Sequence, residues 1–179
     1  DPAFRRGFAH LAPAGLSYDC WLYHPQIDEL TALARAFPDT SIVLDHVGGP
    51  IGIGGYAGRR DEIFDRWQRA IRALAEQPNV SVKLGGLGMR VCGFGLHERA
   101  TPPGSAELAD LWRPYVDACI DAFGPRRAMF ESNFPVDKVS FSYNVMYNAF
   151  KRMSKQYSPT ERAALFHDTA AKVYRIATP

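Results

Sequence analysis

The sequence predicts an α/β fold with a parallel sheet, arranged as half of a (β/α)8 barrel. Three observations carry this. Strand-like runs bounded by turn residues recur at 18–23, 41–46, 80–84 and 127–134, and the second, SIVLDH, suits a strand buried on both faces. A helical pattern follows each run, and such alternation favours parallel strands joined by right-handed crossovers. Polar, titratable residues stand where the strands end, the place where catalytic groups collect in parallel sheets and barrels. The units lie roughly 20 to 50 residues apart, the spacing of barrel units. A doubly wound open sheet is the alternative architecture.

Residues 4–11 read as a short helix with Phe4, Phe8 and Leu11 on one face, broken by Pro13 and Gly15. The aromatic run YDCWLY forms the first strand, and His24-Pro25 ends it. Residues 26–37 give a helix with Ile27, Leu30, Ala34 and Phe37 on one side, stopped by Pro38-Asp39. The second strand is SIVLDH, and a glycine-rich loop over 48–58 follows it. That loop has neither the GxGxxG spacing nor the Lys-Ser/Thr of a phosphate cradle, so it is expected to be a flexible active-site loop. Residues 61–76 form an amphipathic helix with Ile63, Trp67, Ile71 and Leu74 inward, and VSVKL is the third strand.

A long loop over 85–104 carries Arg90, His97, Glu98 and Arg99; loops of this length in compact domains are usually functional or disordered. Ser105 is expected to cap the helix over 106–123, with a kink or restart at Pro114. AMFESNF is the fourth strand, ending at Glu131, Ser132 and Asn133, with Asp137 beyond. Residues 142–153 form a helix burying Tyr143, Met146, Tyr147 and Phe150. Ser158-Pro159-Thr160-Glu161 is a capping box that opens a helix to about residue 166. A last helix carries Ala171, Val173, Tyr174 and Ile176.

The 179 residues suffice for one domain spanning 1–179 with a single substantial core. The net charge of +2 comes from mixed charges with no long basic run, which argues against nucleic acid or an anionic membrane as partner. No apolar run reaches the length of a bilayer span, and no signal peptide opens the chain. Three cysteines without a CxxC point to buried free thiols in a cytoplasmic setting. The chain opens on Asp1-Pro2 and reads as the interior of a longer protein.

His24, Asp45-His46, Lys83 and Glu131-Ser132-Asn133 converge on one mouth if the strands are parallel. Two histidines with a carboxylate or amide can hold a metal or polarise a carbonyl directly. The bland readings are a turn histidine before Pro25, a snorkelling Lys83, and helix-capping roles for Glu131 and Asp137.

The segments YDCWLYHPQ, FPDTSIVLDHVGGP, VSVKLGGLG and FGPRRAMFESNFPVDK resemble amidohydrolase family 2, in its lactonase-like branch, over roughly residues 6–176. The resemblance implies that the four strands are strands five to eight of a TIM barrel, with His24 and His46 as the strand-five and strand-six histidines. The family's strand-one His-x-His is not in this chain. The family usually carries a catalytic aspartate where Asn133 stands, and an amide cannot serve as general base.

The resulting expectation is a hydrolase opening a lactone or related bond of a small carboxylated substrate. Catalysis is assigned to His24, His46, Asp137 and Glu131, and substrate binding to Lys83, Arg90, His97 and Asn133. One divalent metal, zinc or manganese, on His24 and His46 fits as well as no metal. The alternatives are a metal-dependent decarboxylase of aromatic acids and an inactive half barrel. With two unpaired sheet edges, the chain is expected to self-associate or to join its missing half.

Overall fold

The computed structural model describes residues 1–177. Four parallel strands lie in sequence order: β1 (Tyr18–Cys20), β2 (Ile42–Leu44), β3 (Val80–Leu84) and β4 (Ala128–Phe130). Cys20, Leu44, Val82 and Ala128 stand in register across the sheet. The fold is therefore α/β with a parallel sheet, as the alternating pattern predicts.

Three strands are shorter than their apolar runs. β1 stops at Cys20, whose carbonyl takes the Asp45 N–H, and the Gln26 side chain then accepts the Tyr23 N–H and turns the chain. β4 stops at Phe130, because Glu131 makes the last cross-strand bond, to Leu84, and Asn133 takes a positive φ of 50°. Residues that continue the apolar pattern thus leave the ladder and become loop walls.

The helices are α1 (Pro2–Phe8), α2 (Ile27–Ala36), α3 (Arg60–Ala75), α4 (Ser105–Phe123), α5 (Tyr143–Met153), α6 (Pro159–Ala163) and α7 (Thr169–Tyr174). A π-helical turn, Ala164–Asp168, joins the last two. α3 buries Ile63, Trp67, Ile71 and Leu74, the stripe its 3.6-residue period predicts. On β3, Val80, Val82 and Leu84 are buried, whereas Ser81 and Lys83 on the opposite face are half-buried. Trp67, Trp112, Phe150, Ile71 and Leu108 are fully buried, and each such side chain contributes about 2–3 kcal/mol of burial free energy.

Several local expectations change. Gly104, not Ser105, is the N-cap of α4; the Ser105 hydroxyl instead accepts from Arg152 Nε at 3.0 Å. α4 runs through Pro114 without a restart, with that residue on its exposed side, where water can serve the freed carbonyl. Tyr143 lies in the first turn of α5 and is half exposed, while Met146, Ala149, Phe150 and Met153 make the buried stripe. Ile176 falls beyond α7 and is exposed. All three cysteines are free and buried. No helix among the described residues is long and apolar enough to cross a membrane.

Candidate active site

The site is built on a left-handed turn at the exit of β2. His46, Val47, Gly48 and Gly49 have φ values of 54°, 48°, 71° and 47°. The two glycines adopt this region freely, but for His46 and Val47 it costs roughly 1–2 kcal/mol each. Four contacts hold the turn. Glu131 Oε1 takes the His46 backbone N–H at 3.0 Å and lies 2.5 Å from His46 Nδ1. The buried indole of Trp67 donates to Val47 O at 2.7 Å. The His24 N–H donates to Gly49 O at 3.1 Å.

One carboxylate oxygen thus fixes both the backbone and the ring of His46. A carboxylate beside Nδ1 sets the proton there and leaves Nε2 as the working atom. Nε2 has no hydrogen-bond partner among the described residues and is not among their buried unpaired atoms, so it opens outward. Burial works against a charged ring, but the hydrogen bond and charge of Glu131 outweigh it, and the His46 pKa is raised above its usual value. Gly86, with φ 70°, forms the floor beneath the ring: a Cβ there would lie 2.6 Å from His46 Cβ and Cγ. The three glycines of LGGLG were the sequence signal for this close approach, which the strand-end inventory missed. Trp67 was recognised only as core, and periodicity has no means of showing its bond to Val47.

Asp137 is fully buried. Its Oδ1 accepts from Asn133 Nδ2 at 2.9 Å and its Oδ2 from the Gly88 N–H at 3.3 Å. Burial pushes its pKa up to about 7, against the pull of Asn133, Gly88 and His46. Glu131, His46, Asn133 and Asp137 therefore form one cluster over the loop after β3. Neither carboxylate is a free base: each is engaged in holding a neighbour.

The other assigned residues lie elsewhere. His24 is buried; its Nδ1 accepts the Ile51 N–H at 3.1 Å and its ring meets Tyr56 edge-on. Burial and the nearby Arg66 lower its pKa, so it stays neutral and clasps the loop after the left-handed turn. It makes no hydrogen bond to the His46 cluster, because the turn at Tyr23–Pro25 places it against α3. Lys83 Nζ lies 2.7 Å from Asp19 Oδ2 and 2.9 Å from Asp45 Oδ1. Burial opposes its charge, but bonds with Asp19, Tyr174 and Asp45 outweigh that and raise its pKa. Lys83 is thus neutralised by two carboxylates and is not available as the anion anchor the sequence suggested. Arg90 is exposed on a turn, and His97 lies 3.4 Å from Glu98; neither bonds to the cluster. The loop over 48–58 is anchored at its start, where Gly52 donates to Val91 O at 2.8 Å, and Arg60 from α3 donates to Gly93 O of the following loop at 3.0 Å.

As the candidate metal ligands, His24 and His46 each keep Nε2 without a hydrogen-bond partner among the described residues, and His24 Nε2 is buried. No group of three or more His, Cys, Asp or Glu among the described residues is arranged to hold a metal ion.

An uncharacterized protein of Sinorhizobium fredii is 43% identical over 175 residues, covering 98% of this chain and 52% of that protein. An L-fucono-1,5-lactonase of Burkholderia multivorans is 33% identical and covers the whole chain and 58% of its own length. A B. multivorans amidohydrolase with bound zinc superimposes with a TM-score of 0.85 at 31% identity, over 99% of this chain and 58% of that one. The chain thus spans about half the length of the relatives it matches. The amidohydrolase family model matches residues 1–176, a stretch that takes in every strand and every member of the His46 cluster, and the chain therefore belongs to the amidohydrolase family.

Proposed function

We propose that the full-length protein opens the ring of a neutral, hydroxylated lactone by water attack, with His46 carrying the proton. The observation behind this reading is the double hold of Glu131 on His46. As a water oxygen bonds to the lactone carbonyl carbon, His46 Nε2 takes its proton, and Glu131 steadies the imidazolium through Nδ1–H. When the intermediate collapses, the ring C–O bond breaks and Nε2–H returns the proton to the leaving alkoxide. The product is the open hydroxy acid.

Charge guides the choice of substrate. The strand ends carry Asp19, Asp45 and Glu131 against Lys83 and His46, with Asp137 just beyond, and Lys83 is already paired; Arg90 and Lys138 stand exposed on the loops that follow. A carboxylated substrate meets like charge at these strand ends, where Lys83 is already paired. The lactonase relative supports the same class. The test is turnover of L-fucono-1,5-lactone against a carboxylated lactone and an aromatic acid, followed by acid release and by carbon dioxide release. At least tenfold preference for the neutral lactone is expected; carbon dioxide release from the aromatic acid would establish the decarboxylase instead.

We read the chain as strands five to eight of a (β/α)8 barrel. β1 pairs on one side only among the described residues. Beside it lies a groove of about 390 Å³ lined by Phe4, Tyr18, Trp21, Leu30 and Leu33, and the Trp21 ring also meets His46 edge-on at 6.5 Å between centroids. Phe4 and Trp21 are 48% and 50% exposed there. Such an edge invites another strand. Expressed alone, residues 1–179 are expected to self-associate, and light scattering showing a stable monomer at tens of micromolar would refute that.

A further inference from the structure

Asp137 is a fully buried carboxyl that takes no part in the proton path above, yet two separate segments converge on it. Asn133 Nδ2 donates to its Oδ1 at 2.9 Å, and the Gly88 N–H to its Oδ2 at 3.3 Å. The same turn returns to Gly88 from the other side: Ser140 Oγ donates to Gly88 O at 2.7 Å. Both polar groups of Gly88 are therefore held by residues of the turn after β4. In its ionised form the Asp137 carboxylate only accepts, and it then faces the NH2 end of the Asn133 amide. That leaves Asn133 Oδ1 pointing away from Asp137. Oδ1 has no partner among the described residues and is not among their buried unpaired atoms, so it is open to a ligand. The left-handed backbone of Asn133, φ 50°, suits asparagine better than most residues and sets the side chain back over Asp137.

We propose that Asp137 is a positioning residue that turns the Asn133 carboxamide so that its oxygen accepts a hydroxyl of the substrate. It rests on the lactonase reading and deepens it: the site selects lactones with a hydroxyl donor near the reacting carbonyl. The second bond, to Gly88, fixes the loop whose Gly86 carries the His46 ring, so hydroxyl recognition and proton transfer share one support.

The test is a double-mutant cycle on the full-length protein with Asp137→Asn and Asn133→Ala, read as kcat/KM on a neutral hydroxylated lactone. In Asp137→Asn one oxygen must serve two N–H donors, and the Asn133 amide loses its fixed orientation. The expected loss is at least tenfold in the parent and less than threefold in the Asn133→Ala background. An equal loss in both backgrounds would overturn the proposal, since a purely structural carboxyl costs the same with or without Asn133. A second readout does not depend on turnover. The Asn133 side-chain amide protons are expected to exchange slowly in the parent and at least tenfold faster in Asp137→Asn. The Asn79 amide, which donates to Ala34 O, Phe37 O and Thr40 O, reports whether the fold is intact. Unchanged Asn133 exchange with Asn79 protected would also overturn the proposal. If the parent hydrolyses no lactone, the functional reading fails while the exchange experiment still decides the role of Asp137.

Discussion

His46→Ala is expected to lower kcat/KM on a neutral lactone about a thousandfold or more in the full-length protein, with the fold retained. Removing the imidazole removes both the base that activates water and the acid that serves the leaving oxygen; general acid–base catalysis by one positioned group contributes roughly 10²–10⁴-fold. The pH dependence is the sharper test. His46 works as a base only when neutral, and its pKa is raised above the usual histidine value by Glu131. kcat/KM is therefore expected to rise with pH through that raised value and to fall below it. In Glu131→Gln the raising influence is lost while burial remains, so the acidic limb moves to lower pH as kcat drops. If Glu131 were only a structural contact, the rate would drop without any movement of the limb. Residual activity of His46→Ala near the parental level would remove His46 from the mechanism.

The sheet was legible because strand and helix periods alternate cleanly, and VSVKL occupies β3 residue for residue. His46, Glu131, Asn133 and Asp137 were legible as strand-end polar residues. Their division of labour was not. A list of titratable residues cannot show that Glu131 Oε1 binds the backbone and the ring of the same histidine, 85 positions away. His24 was less legible. It stands at a strand exit in sequence, but β1 ends four residues before it, and the intervening turn carries its ring to Ile51 and Tyr56. Lys83 was misjudged for a related reason: its partners, Asp19 and Asp45, lie on β1 and just beyond β2, and only the parallel order of the strands brings them together.

That arrangement makes a second large effect expected, this time on stability. In Lys83→Met, Asp19 and Asp45 lose the cation that bridges them. Breaking a buried pair by removing one partner costs about 3–5 kcal/mol. The Asp19 side chain is 35% exposed and is screened by water, so the cost falls to about 2–3 kcal/mol, or about 5–10 °C in Tm. The sign with pH is fixed. Lys83 has a folded pKa above its ordinary value, so its contribution is complete throughout the neutral range. Without it, burial raises the Asp45 pKa further, and stability falls as pH rises through that value. The loss is therefore expected to be larger at pH 8 than at pH 5 in urea unfolding. Equal losses at both pH values would mean that the loss does not come from an unpaired, ionised Asp45. A variant with parental stability but a raised KM for carboxylated lactones alone would restore Lys83 as a substrate anchor, and with it the anionic substrate that the present charge distribution argues against.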